Sequence, residues 1–239
     1  MQTRGQQGMR LDRFVSQATG VSRSQARTWI RRGGVSVDGA RVRDAAFSLA
    51  DGMHVVADGE TLALPGPLYL MLHKPCGLLS ATRDDHQDTV LSLLPDALAA
   101  RVHIVGRLDK DTSGLLLLTD DGDWSHRITA PARHCEKVYV AELAQALDDA
   151  AMASLERGVV LRSESTPTRP ARLQRVDDRR VRIAITEGRY HQVRRMFAAV
   201  GNRVTLLHRE RIGGLSLDAA LAPGQWRALT ADECAAVFA

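Results

Sequence analysis

The sequence predicts an α+β protein of two unequal parts: a small arginine-rich domain, then a larger one built on a largely antiparallel mixed sheet. Three observations predict it. Residues 9–43 carry eight arginines against Asp12 and Asp38, in helical spacing followed by a hairpin signal. Residues 60–67 then hold two prolines and a glycine, the composition of a break between folding units. Beyond them, strand-like runs outnumber helical ones and do not alternate with them regularly, which favours an antiparallel α+β sheet over a doubly wound one.

Size and composition bound the class. The 239 residues, 44% hydrophobic and 25% charged, describe an ordinary globular chain long enough for one large core or two unequal ones. No apolar run approaches the roughly 20 residues needed to span a bilayer, so no membrane partner is expected. Residues 1–8 lack the apolar centre of a secretion signal and read as a frayed start. Cys76, Cys135 and Cys234 form no CxxC pair, so neither a disulfide framework nor a metal site is indicated, and a reducing cytoplasm fits. The net charge of +4 and pI near 9.3 point modestly to a polyanionic partner. Only Lys74, Lys110 and Lys137 are lysines, so the placement of the arginines says more than the total.

In the first block, Leu11, Phe14, Val15 and Ala18 recur at helical spacing up to Gly20. Ser22 and Gln25 read as a capping box opening a second helix that stops at Gly33-Gly34. On that helix Arg23, Arg27 and Arg31 share a face while Ala26 and Ile30 share another. Residues 35–42 alternate around Asp38-Gly39, a strong hairpin signal. A charged stripe is often only a solvated helix face.

In the second block, residues 68–73 read as a strand halted by Lys74-Pro75-Cys76-Gly77. Further strands are expected at 103–105, in the leucine run 115–118, and at 137–143, 159–161, 171–176, 181–186, 203–207 and 215–217. Helices are expected at 90–94, 124–129, 150–157, 192–200 and after Thr230, where Thr230 and Glu233 form another capping box. Gly33-Gly34 and Gly213-Gly214 lie in no phosphate-loop context.

The chemistry concentrates in Gly106-Arg107-Leu108-Asp109-Lys110-Asp111-Thr112-Ser113-Gly114, which runs into four leucines. A carboxylate there enters the interior partly desolvated with an arginine two residues away, so it can be held ionised and aimed as a nucleophile. The same residues are also good turn formers, and composition alone does not decide between the two.

Resemblance adds to this. Gly-Arg-Leu-Asp-x-x-Thr-x-Gly-Leu-Leu-Leu-Leu-Thr resembles the signature of the pseudouridine synthases, and residues 9–59 resemble the alpha-L RNA-binding domain shared with a small-subunit ribosomal protein. The implied fold is that small domain, a linker at 60–67 and a synthase domain at 68–239. The resemblance makes Asp109 the catalytic aspartate and leaves open whether it adds to the ring, attacks the sugar or promotes elimination. Arg107 would lie near the flipped nucleotide, or pair with Asp111 as a surface arginine. Tyr139, in a Lys-x-Tyr element, would pack on the target base. Arg189, His191, Gln192 and Arg194 match a Gly-Arg-x-His-Gln-Val-Arg motif whose last cation, Arg194, pairs with the nucleophile. Lys74 joins the substrate-binding set, although His73 stands where relatives usually carry asparagine. Arg23, Arg27, Arg31, Arg32 and Arg41 would contact RNA, mostly at phosphates.

Residues 124–129 and 201–214 fit the branch that modifies 16S ribosomal RNA, the pseudouridine-516 type. The implied activity is isomerisation of one uridine without a cofactor, by a monomer whose partner is small-subunit ribosomal RNA or an assembly intermediate. The alternatives are the same chemistry on 23S RNA and a non-enzymatic assembly factor.

Overall fold

The computed structural model describes residues 9–50 and 52–239; the expected frayed start at 1–8 lies outside them. Contacts divide the chain into two units, Met1–Gly66 and Pro67–Ala239.

The first unit opens with strand β1 (Met9–Arg10) and helices α1 (Leu11–Thr19) and α2 (Arg23–Arg31). Gly20 ends α1 in the left-handed conformation at φ 76°, and the Ser22–Gln25 capping box forms in both directions. Strands β2 (Val35–Val37) and β3 (Ala40–Arg41) make the expected hairpin, with Asp38 at φ 49° and Gly39 at φ 80°, as a type I′ turn requires. Then come β4 (Ser48–Leu49), which pairs with β1, β5 (Val55–Ala57) and β6 (Glu60–Leu62). Leu11, Val15, Ala26, Ile30, Val35 and Val55 form its core.

Two expectations change here. The stretch 60–67 is not all linker, because β6 pairs with β5 across Asp58-Gly59, a second Asp-Gly hairpin turn with both φ angles positive. The arginine stripe is not simply solvated either. Arg10, Arg23 and Arg27 converge on the carboxylate of Asp12, whose side chain is fully buried. These guanidiniums, Arg10 foremost, hold the Asp12 carboxyl well below the usual carboxylate range despite its burial. One acid therefore fixes Arg23 and Arg27 of the stripe, with Arg10 beside them, while each of these three arginines stays about half exposed.

The second unit is one large sheet. Its strands are β7 (Tyr69–Lys74), β8 (His103–Val105), β9 (Thr112–Thr119), β10 (Lys137–Leu143), β11 (Arg172–Arg175), β12 (Arg180–Ile185), β13 (Val204–Ile212), β14 (Leu215–Ser216) and β15 (Trp226–Ala228). They lie in the order β11-β12-β10-β13-β9-β7-β15, with β14 on β13 and β8 on β9. Pairing among them is antiparallel except between β13 and β9. Helices α3 (Asp96–Ala99), α4 (Gly122–Thr129), α5 (Asp149–Arg157), α6 (Gln192–Ala199) and α7 (Ala231–Ala236) complete the unit.

The leucine run is continuous because β9 is covered on both faces. Leu116 and Leu118 join one core with Leu72, Tyr139, Ile183 and Phe197, while Leu115 and Leu117 join another with Met71, Trp124 and Ile128. All four leucines are fully buried, each contributing about 2 kcal/mol.

Other expectations shift in detail. Residues 159–161 form no strand: Val160 makes a single bridge to Pro167, which has no N–H with which to extend a ladder. Residues 90–93 wind as a 3-10 turn. Strand β13 continues past Leu207 to Ile212 because His208 and Arg209 still pair with Val140 and Tyr139. Strand β9 begins at Thr112, so Gly114 lies inside it rather than in a turn. A Cβ there would sit 2.2 Å from the Arg209 carbonyl oxygen, so glycine allows β13 and β9 to approach.

His208 carries a pH consequence. Its ring lies edge-on to His73, 5.5 Å between centroids, and its Nδ1 is 2.9 Å from the Ser113 hydroxyl. Burial first, then His73, pushes its pKa below 6.5, against a smaller opposing pull from Glu210. The unfolded chain therefore takes up this proton before the fold does, and stability falls as pH drops through 6.5. His208→Asn should show a shallower loss of stability than the parent in urea melts between pH 7.5 and 5. Equal slopes would remove His208 as the cause.

Candidate active site

The loop between β8 and β9 carries Asp109, and it is pinned from below. Leu108 is buried in the core, and its N–H donates to the Ser80 hydroxyl at 3.2 Å. Arg107 is exposed and Asp109 partly so, as alternation about a buried Leu108 dictates.

Two buried cations hold the two ends of this loop by its carbonyls. Lys74 is fully buried and donates to the carbonyls of Thr112 at 2.9 Å, Lys110 at 3.2 Å and Pro75 at 2.9 Å. Burial pushes its ammonium below the ordinary lysine range. Arg209, 1% exposed, donates to the carbonyls of Gly106 and Leu115, both at 2.8 Å. It also reaches the Tyr139 hydroxyl at 3.5 Å. Neither cation has a carboxylate within 4 Å among the described residues. Their acceptors are backbone, so their work is positional. Lys74 therefore supports the loop rather than presenting an ammonium to substrate.

Nothing local in the sequence distinguishes Arg209 from the neighbouring Arg211, which instead pairs with Glu136. Regular alternation would put both on one face; the irregularity in the β10–β13 pairing between them separates their surroundings.

Across from the loop stands the start of α6. His191 Nε2 lies 3.5 Å from Asp109 Oδ1. Three residues on, Arg194 donates to the Asp111 backbone carbonyl at 3.1 Å and pairs with the Asp111 carboxylate at 2.9 Å. The expected Arg194–Asp109 pair is thus replaced by two parallel contacts. Residues three apart on the helix meet carboxylates two apart on the loop, and the register gives Asp109 to His191 and Asp111 to Arg194. Among the described residues Asp111 pairs with Arg194 and makes no ion pair with Arg107.

Arg189 and Gln192 are structural. Arg189 is paired with Glu164 at 2.5 Å and Glu187 at 3.3 Å and donates to the carbonyls of Thr166 and Pro167. Gln192 is buried, accepts from the Arg189 N–H and donates to Glu187, both at 2.8 Å. Neither presents a free group to a substrate. Tyr139 is 9% exposed, its ring set in the core and its hydroxyl on Arg209, so its ring offers no open stacking surface. In the first unit, Arg31, Arg32 and Arg41 are exposed; Arg23 and Arg27 are shared with Asp12.

A hollow of about 370 Å³ bordered by Arg133, Glu136, Arg211 and Phe238 contains none of these residues. Among the described residues no group of three His, Cys, Asp or Glu side chains could hold a metal ion, and no helix is long and apolar enough to cross a membrane.

An arginine-faced helical module and a mixed-sheet domain offering a braced carboxylate beside exposed cations define an RNA-modifying enzyme. Comparison with known proteins gives the family. Residues 68–199 match the RNA pseudouridylate synthase model and residues 9–55 the S4 domain. The chain belongs to the RNA pseudouridylate synthase family. It is 52% identical over 230 residues to the ribosomal small subunit pseudouridine synthase A of Escherichia coli K12, covering 96% of this chain and 100% of that one. To the Yersinia pestis protein of the same name it is 49% identical, covering 97% and 99%. A solved pseudouridylate synthase superposes with a TM-score of 0.71 at 42% identity, covering 96% of this chain and 100% of that one.

Proposed function

We propose that this chain isomerises one uridine of 16S ribosomal RNA, at the position-516 type of site, with Asp109 as the catalytic aspartate and no cofactor. The observation that carries the reading is the presentation of Asp109: 29% exposed, on a loop whose backbone is held at both ends by buried cations. Such bracing fixes a nucleophile without neutralising it. The reaction breaks the bond from ribose C1′ to uracil N1, turns the base, and joins C1′ to C5. The C5 proton is lost and N1 gains one, so the balance needs no redox partner. Near-full-length likeness to relatives named for the small subunit supports that substrate over large-subunit RNA. The exposed Arg31, Arg32 and Arg41 would hold phosphates, and Arg107 the region around the extruded nucleotide. Arg194 would act through Asp111 as a positioning residue.

The test is incubation of the purified protein with unmodified 16S and 23S RNA, followed by carbodiimide mapping. One new pseudouridine in 16S RNA alone is expected. Modification of 23S RNA instead would overturn the substrate, and absence of product from both would overturn the activity.

A further inference from the structure

We propose that Tyr190 is a stacking platform for an unpaired nucleobase next to the uridine being modified, an inference that rests on the reading of Asp109 given above. Tyr190 is 76% exposed, the most exposed large hydrophobic side chain among the described residues. It buries too little to serve the fold, and what sets it apart from an ordinary exposed side chain is its fixed placement beside His191.

Its ring is nonetheless held in a defined place. It lies parallel to the His191 imidazole, 3.9 Å between centroids and 18° between planes, and His191 is the residue that faces Asp109. Neighbouring side chains in extended backbone point to opposite sides. These two stack because His191 adopts φ 47°, a left-handed conformation unusual for a residue other than glycine.

The turn is fixed from several directions. Arg195 donates to the Tyr190 carbonyl at 3.0 Å and pairs with Glu164, which also holds Arg189. The Gln192 N–H donates to the Arg189 carbonyl at 3.1 Å. Strain kept at a braced turn beside a reacting group belongs to pre-organisation.

One face of the Tyr190 ring is covered by His191, and the other is open. The ligand such a face takes is a planar heterocycle, and every nucleobase offers one, so the platform tolerates sequence. A uridine brought to Asp109 has left its own stack, and its flanking base has lost a neighbour. Tyr190, one ring beyond His191, stands where that base can recover a stacking partner. The outer ring thus receives the flanking base, while the acid receives the target.

The experiment uses the full chain and a 16S RNA transcript containing the unmodified target uridine, with 2-aminopurine placed in turn at each flanking position. Tyr190→Ala, Tyr190→Phe and Tyr190→Trp are compared with the parent. The fluorophore at one flanking position should be quenched on binding the parent, Phe and Trp proteins but not the Ala protein. KM should rise about tenfold in Tyr190→Ala only. Because the side chain is exposed, the Ala protein should melt as the parent does. Quenching and KM unchanged in Tyr190→Ala, with the parent forming pseudouridine, would overturn the platform and leave the activity standing. A Phe variant as defective as Ala would overturn it too, assigning the effect to the hydroxyl. A parent protein that forms no pseudouridine in this RNA would overturn the functional reading and this inference with it.

Discussion

Asp109→Asn is expected to reduce pseudouridine formation by at least about 10³-fold, because it removes the carboxylate proposed to react while keeping nearly the same volume. The bracing of the loop does not pass through this side chain: Leu108 packs below, and Lys74 and Arg209 grip carbonyls. Stability should therefore stay within about 0.5 kcal/mol of the parent, and affinity for RNA within about threefold. Single-turnover conversion of unmodified RNA, read by nucleoside analysis beside a filter-binding isotherm, separates the two quantities. Turnover close to that of the parent would refute the assignment of Asp109. A parallel collapse of binding and melting temperature would mean that the carboxylate holds the loop rather than reacting.

Substitution of Arg209 should have the largest effect on the fold. Its guanidinium is buried and bridges the Gly106 loop, Leu115 of β9 and Tyr139 of β10. Arg209→Ala would leave the buried Leu115 carbonyl and the part-buried Gly106 carbonyl without these donors and open a cavity, together about 3–5 kcal/mol. Arg209→Lys keeps the charge but lacks the planar fork that reaches separate acceptors at once. It should cost about 2 kcal/mol and, while still folded, lower turnover by more than about tenfold through misplacement of the Asp109 loop. Urea melts and single-turnover rates on the Lys variant test this together. Full activity and an unshifted midpoint would show that the Gly106 carbonyl needs no such support.

These expectations differ in how far the sequence leads to them. The loop of Asp109 stands out in the sequence because its neighbours mark it: a long motif resembling the family signature, then a run of leucines that had to be buried. The hairpin at Asp38-Gly39 and the capping boxes at Ser22 and Thr230 were legible for the same reason, since their partners lie within a few residues. The neighbouring Asp58-Gly59 turn carried an equal signal, masked by the prolines that follow at Pro65 and Pro67. The motif cations were a different matter. Lys74, Arg189 and Gln192 look like ligands of a substrate in one dimension, yet each is occupied by the protein's own backbone or acids.

Local order along the chain thus determined the two-part α+β plan, most strands and helices and the buried leucine strand. Helical and strand periods, caps and turn residues act over distances that a short window contains. Tertiary structure alone decided which charge meets which: three arginines on Asp12 in the first unit, and in the second Arg194 on Asp111, His191 on Asp109 and Arg209 on the carbonyls of Gly106 and Leu115. Each of those choices depends on the register of elements far apart in sequence. A contact reaching only a few ångströms is set by that register, and residue type does not encode it.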